Sequence, residues 1–253
     1  MKQILYIIVL LCSVLINAQN EDAFLEANDF YNNGDYQEAI AGYESILETQ
    51  VHSPELYFNL ANSYYKLNQI AASIYFYERA LQLSPDDIDI LNNYNFAQNM
   101  TIDAIEELPE IGLTRFVKIL VNTYSVDAWA KLSIICVVLF VILFLSYYFS
   151  FSTTKKRASF ILSFVTITLA IMFLSFAFQK YTINKKNNPA IVFAQESDVK
   201  TDPNLKSETA FQLHEGTKVQ VLERYNDSWT KIKIANGKNG WIFTKDIRLL
   251  NDF

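Results

Sequence analysis

Two uninterrupted apolar runs dominate the pattern along the chain. Residues 132–151 and 159–178 each hold 20 residues without a charge. That is about 30 Å of helix at ~1.5 Å per residue, the depth of a bilayer core. The pattern predicts two transmembrane helices joined by a short polar loop, residues 152–158, which carries Lys155, Lys156 and Arg157. A third apolar stretch, residues 4–16, follows Lys2 and ends at Asn17-Ala18-Gln19. One positive charge, a short apolar core and a small residue at a polar boundary predict an export signal over residues 1–18, cleaved after Ala18. An uncleaved anchor is the alternative. Export would carry the next segment outward, the first span would stop transfer, and the second would return the chain. The expectation is therefore an inner-membrane protein with two spans, its basic loop in the cytoplasm and both soluble segments in the periplasm. Lys180, Lys185 and Lys186 crowd the outer end, so the orientation rests on the N-terminal signal more than on loop charge.

Between the signal and the first span the polar and apolar positions recur with a 34-residue offset. Residues 28–47 (NDFYNNGDYQEAIAGYESIL) align with residues 62–81 (NSYYKLNQIAASIYFYERAL). Ala27 falls on Ala61, Asn28 on Asn62, Tyr31 on Tyr65, Ile40 on Ile74 and Tyr43 on Tyr77. This period, with its small and aromatic positions, resembles the tetratricopeptide repeat, a pair of antiparallel helices per unit. Gly34-Asp35-Tyr36 stands at the inter-helix turn of the first unit, and Pro85 closes the second. Asn68 replaces the turn glycine and Ser73 replaces the alanine matched by Ala39. About three units are needed to bury a solenoid core. Residues 86–108, with Ile88, Leu91, Tyr94, Ala97 and Ile102 near helical spacing, are expected to form a capping helix. The repeat domain thus spans residues 19–108. The resemblance implies a concave groove lined by the first helix of each unit and able to hold a peptide. The residues here that map onto it are Phe24, Asn28, Phe58, Asn59, Asn62, Tyr65, Lys66 and Asn93. Asparagine amides offer a peptide both a donor and an acceptor, and they are expected to face solvent in the free protein. With Lys66 as its one cation, the groove is a poor match to repeats that grip a C-terminal carboxylate.

Residues 109–131 form a connector. Pro109 stops the preceding helix, and Phe116, Ile119, Leu120 and Tyr124 mark one apolar face. Ser125 is placed to cap the next helix, and Trp129 suits a membrane-interface belt. The connector reads either as an amphipathic helix on the outer leaflet or as a lid on the repeats.

After the second span the period changes to two. Lys218-Val219-Gln220-Val221-Leu222 and Trp229-Thr230-Lys231-Ile232-Lys233-Ile234 alternate, and Asn236-Gly237 marks a hairpin turn before Trp241-Ile242-Phe243. Residues 190–253 resemble a bacterial SH3 domain, carried by DVKTDP (198–203), HEGTKVQVL (214–222), DSWTKIKI (227–234) and GKNGWIF (237–243). Gly216 is expected at the bend before the diverging strand, and Trp229 and Trp241 as packing residues. Such domains often bind peptidoglycan or peptides. The fold class is therefore multidomain: all-α repeats, a two-helix transmembrane hairpin and an all-β SH3-like barrel.

Charge sharpens this division. Residues 19–127 carry 18 acidic side chains against four Lys or Arg, and residues 179–253 carry nine against twelve. The acidic half argues against nucleic acid as a partner, since little in it could neutralise phosphates. Two cysteines, Cys12 and Cys136, both in apolar runs, and two distant histidines, His52 and His214, give no basis for a disulfide framework, a metal site or a cofactor. No GxSxG, HExxH or Cys/His arrangement stands in the chain, and spans without internal charge disfavour a transporter.

The whole order resembles BatE, the tetratricopeptide-repeat family of the Bacteroides aerotolerance (Bat) operon. Its most specific pieces here are residues 211–242 (FQLHEGTKVQVLERYNDSWTKIKIANGKNGWI) and residues 125–133 (SVDAWAKLS). The resemblance implies an envelope protein working with von Willebrand A-type membrane partners in an aerotolerance or oxidative-stress role. The expected function is a non-enzymatic scaffold binding partner proteins through its repeats and SH3-like domain. The alternative is a peptidoglycan-binding or wall-remodelling protein.

Overall fold

The computed structural model describes residues 20–105 and 112–251. The expected export signal, residues 1–18, lies outside them. The chain divides into two compact units. One joins the segments before Leu108 and after Asn187, and the other is Leu108–Asn187.

The repeats occupy five helices: α1 (residues 20–33), α2 (Tyr36–Glu48), α3 (Pro54–Lys66), α4 (Ile70–Leu83) and α5 (Ile88–Gln98). The 34-residue period reappears in the turns. Gly34 (φ +90°) and Asn68 (φ +58°) both adopt the left-handed conformation. Behind them, Asp35 N donates to Phe30 O at 2.9 Å and Gln69 N to Tyr64 O at 3.0 Å. Asparagine reaches this region more readily than other side-chain-bearing residues, so Asn68 closes α3 as Gly34 closes α1. Ser53 and Asp87 cap α3 and α5 through their side-chain oxygens. Small residues set helix spacing: a Cβ on Gly42 would lie 2.9 Å from Ala27 Cβ. Tyr43, Tyr57 and Tyr77 fill the space between helices and are buried.

The capping helix is shorter than its apolar spacing predicts. α5 ends at Gln98, Ile102 is exposed, and residues 100–105 run as an irregular segment. The reason is tertiary. Asp103 bonds three groups of the C-terminal segment, and Ile105 packs against that segment's core.

That segment is one antiparallel sheet of seven strands: β1 (Pro189–Val192), β2 (Glu196–Lys200), β3 (Thr209–His214), β4 (Lys218–Tyr225), β5 (Trp229–Lys233), β6 (Asn239–Phe243) and β7 (Ile247–Leu249). The strand order is β3-β2-β6-β5-β4-β1-β7. Val192, Val199, Leu213, Val219, Ile232 and Ile242 form the interior. The Asn236-Gly237 turn joins β5 to β6, with Lys233 opposite Asn239 and Gly237 at φ +89°. This is the SH3-like barrel. Trp229 and Trp241 are buried, Trp229 stacked on Phe243 at 4.3 Å.

The second unit contains α6 (Leu113–Asn122), α7 (Val126–Phe149) and α8 (Thr153–Lys186). The latter two are long and apolar enough to cross a membrane. Residues 150–152 alone separate them, because Lys155, Lys156 and Arg157 favour helix and extend α8 backwards through the expected loop. The two helices pack through Ser133, Cys136, Ser159, Ser163, Ala170 and Ala177. Small side chains permit close approach, and Ser133 Oγ donates to Ala170 O at 2.9 Å. Ser125 caps α7, accepting from Ala128 N at 3.1 Å. Trp129 is not a belt residue open to lipid. It is buried against Phe173 and Phe176, and its Nε1 donates to Val121 O at 3.1 Å.

Candidate functional site

The groove asparagines form a ladder. Tyr43 donates its hydroxyl to Asn28 Oδ1 at 2.6 Å, and Asn59 Nδ2 donates to the same oxygen at 2.9 Å. One repeat later, Tyr77 donates to Asn62 Oδ1, and Asn93 Nδ2 joins it at 3.2 Å. Burial pushes the Tyr43 hydroxyl up to about 12 and raises Tyr77 as well, so both remain O–H donors at neutral pH. The expectation of solvated asparagines is thus corrected. Each carbonyl oxygen already holds two donors and ties three helices together. Among the described residues, no protein acceptor meets Asn28 Nδ2 or Asn62 Nδ2.

The ladder also settles the register. Asn93 lies 34 residues after Asn59, so it repeats Asn59 rather than Asn62. The residue 34 after Asn62 is Phe96. It is 61% exposed and ends the row of asparagines with an apolar ring.

Asn62, Tyr65, Lys66 and Asn93 meet in one recess, together with Tyr31, Tyr77 and Phe96. Asn28 and Asn59 stand one repeat earlier. Phe24 and Phe58 serve mainly as packing, 5.8 Å from the Tyr43 ring and 6.1 Å from Tyr77. Tyr31 and Phe96 were missing from the groove read from sequence, although both follow from the 34-residue offset applied to Tyr65 and Asn62. The recess offers an amide N–H₂ and an ammonium between aromatic walls. It is suited to a segment that brings carbonyl or carboxylate oxygens beside an apolar side chain.

A second constellation joins the repeats to the barrel. Asp103 Oδ2 accepts from His214 N at 2.7 Å and Thr217 Oγ1 at 2.6 Å, while His214 Nδ1 lies 2.8 Å from Oδ1. Lys218 Nζ donates to both oxygens of the buried Glu78 carboxylate at 2.7 Å, and Tyr94 adds a bond at 2.6 Å. The Arg248 guanidinium lies over Tyr75, 4.4 Å from the ring centre. Ile191 and Leu250 belong to the repeat core. The repeats and the barrel are therefore one body.

Burial pushes the Asp103 carboxyl up, but the bonds from Thr217 and His214 outweigh it and hold it below its ordinary 3.8. A depressed carboxylate contributes its full stabilisation above its unfolded value and loses it as pH falls through the lowered one. The His214 amide resonance should thus show a titration step below about pH 4. In an Asp103→Asn variant that step should vanish; its persistence would assign the titration elsewhere.

Among the described residues, no three His, Cys, Asp or Glu gather as a metal would require. Residues 24–88 match the tetratricopeptide repeat family, and residues 197–248 match the bacterial SH3 domain family. A stretch of 54 residues is 35% identical to the cell wall-binding protein YwsB of Bacillus subtilis (strain 168), covering 21% of this chain and 30% of that protein. The chain thus spans under a third of the length of the curated relative that it matches.

Proposed function

We propose that this protein is a membrane-anchored, non-enzymatic scaffold of the cell envelope whose repeat groove holds a segment of a partner protein. The observation that carries this reading is the recess at Asn62, Tyr65, Lys66, Asn93 and Phe96, which presents donors, a half-buried ring and an exposed one on a rigid ladder. Docking of the barrel on the repeats supports a shared compartment, since segments in contact must lie on the same side of any membrane that α7 and α8 cross. With an export signal that side is the periplasm, and the membrane is the inner membrane. The resemblance to BatE points to von Willebrand A-type membrane proteins as partners and to an aerotolerance role.

A photo-crosslinking residue at Tyr65, in the full chain in intact cells, tests this. It should capture a von Willebrand A-type protein, while the same residue at exposed Glu38 on α2 should not. Equal capture from both positions would remove the groove from consideration. Reporter fusions at Gln50, Ser152 and after Phe253 check the topology; activity of a periplasmic reporter is expected at the first and last sites only.

A wall-binding reading is favoured by the likeness to a cell wall-binding protein. It expects the purified full chain to sediment with isolated peptidoglycan. Hydrolysis of that peptidoglycan, lost on changing one acidic residue, would reverse the non-enzymatic reading.

A further inference from the structure

The second unit carries a cationic cluster that the scaffold reading does not use. Among its described residues Asp127 is the only acid, against nine Lys or Arg. Three of the cations converge near the N-terminal end of α7. Arg115 and Lys118 stand on α6 and line a shallow recess with Ile119, Asn122 and Thr123. Lys180, from α8, donates to Asn122 Oδ1 at 2.7 Å.

The helix that carries the cluster is two-faced. Arg115, Lys118 and Asn122 are three and four residues apart and share one side. Phe116, Val117, Leu120 and Val121 fall on the opposite arc. That arc is itself divided. Val121 is buried, and its carbonyl receives the Trp129 indole. Phe116, at the other edge of the arc, and Ile119, between that edge and the cations, are each 58% exposed. One edge of the apolar arc is thus spent on the unit's own packing, while the other stands open beside the cations.

Continuity with the spans says what covers that open edge. Three residues, 123–125, separate α6 from α7, and α7 is long and apolar enough to cross a membrane. Asp127 and Lys131 must stay at headgroup depth, because a charge in the bilayer core is costly. α6 ends four residues before Val126 and packs against α8, so it lies at that same depth. An interfacial helix buries its apolar side among acyl chains and meets headgroups with its polar side.

We propose that α6 is an interfacial helix that binds an anionic phospholipid, with Arg115, Lys118 and Lys180 receiving the phosphate and Phe116 and Ile119 lying against the acyl chains. The site is independent of whatever occupies the repeat groove, and its failure would leave the scaffold reading intact.

The full-length protein in mixed micelles, titrated with phosphatidylglycerol or phosphatidylcholine and read by native mass spectrometry, tests the site. Phosphatidylglycerol should bind preferentially. The double variant Arg115→Gln/Lys118→Gln should bind it roughly tenfold to thirtyfold more weakly, the loss expected for two cations at a charged membrane surface. Phosphatidylcholine binding and the melting temperature should be unchanged. Millimolar inorganic phosphate should not displace the lipid, because the acyl-chain contacts are missing from it; displacement would mark a free-anion site instead. Equal retention of phosphatidylglycerol by wild type and double variant, or equal loss of both lipids, would overturn the proposal. Ile119→Cys, labelled with bimane in a Cys12→Ser/Cys136→Ala background, supplies a second reading. Lipids brominated in the acyl chain should quench it more than aqueous iodide; the reverse order would place the helix in water and sink the idea.

Discussion

Gly216→Val is expected to part the barrel from the repeats while each keeps its own core. Gly216 sits at φ +84°. A Cβ there would lie 2.9 Å from Thr101 Cγ2 and 3.0 Å from Ile74 Cδ1, both in the repeats. A β-branched side chain adds left-handed strain of roughly 1–2 kcal/mol to overpacking of about 1–3 kcal/mol. Gly34→Val separates these contributions: Gly34 is also left-handed, at φ +90°, but nothing stands within 4 Å of its Cβ position. The measurement is zero-length carbodiimide crosslinking of Lys218 to Glu78, whose charged atoms are 2.7 Å apart. The crosslink should form in wild type and in Gly34→Val and disappear in Gly216→Val. Undiminished crosslinking in Gly216→Val would show that the junction yields to an added side chain, and that the glycine is needed only for its bend.

Truncating Tyr77 to alanine should have one of the largest effects on stability of any single change in the repeats. Its ring is fully buried, packs on Phe58, and holds Asn62 through its hydroxyl. Loss of a buried aromatic costs about 3–5 kcal/mol, a large share of what holds a domain of this size together. Asn62→Ala occupies a middle ground. It strands the buried Tyr77 hydroxyl and removes the Asn93 bond, at about 1–3 kcal/mol, and it deletes the amide N–H₂ offered to the groove. It should therefore melt lower than wild type, remain folded at room temperature, and lose partner capture. Tyr77→Phe removes the hydroxyl and spares the ring, so it should melt near Asn62→Ala yet capture partner. Wild-type melting of Asn62→Ala would mean that the ladder bonds contribute nothing. Wild-type capture by Asn62→Ala would move attention to the barrel.

Much of the architecture could be read from period alone. A 34-residue offset located the repeats, a period of two located the barrel, and two uncharged runs located the long helices. Where the reading failed, contacts distant in sequence had decided the outcome. α5 stops at Gln98 because Asp103 is held by His214 and Thr217, 111 and 114 residues further on. The groove residue types were legible, but their state was not. Asparagine at a helix surface looks the same whether it meets water or a tyrosine hydroxyl from the neighbouring helix. Asn93 stands about one helical turn from the strict counterpart of Asn62, which is Phe96, yet both line the same recess. Trp129 illustrates a third case. An aromatic residue before a span suits a lipid belt on composition, and the α6–α7 turn instead gives its indole an internal acceptor.

The α7–α8 hairpin interrupts a body that is complete only when both of its flanking segments are present. This has a consequence for biosynthesis. The repeats leave the ribosome first, but Glu78 has no lysine, and Asp103 no partner, until the chain beyond residue 213 has followed. On the topology proposed above, both spans would have to be inserted during that interval, and the second would have to return the chain to the side where the repeats wait. The repeats would meanwhile display Ile70, Ile74 and a nearly buried carboxylate to whatever chaperone or protease patrols that side. A chain that fails to insert its second span would never cover this surface, and faulty topology would thus be converted into a degradation signal.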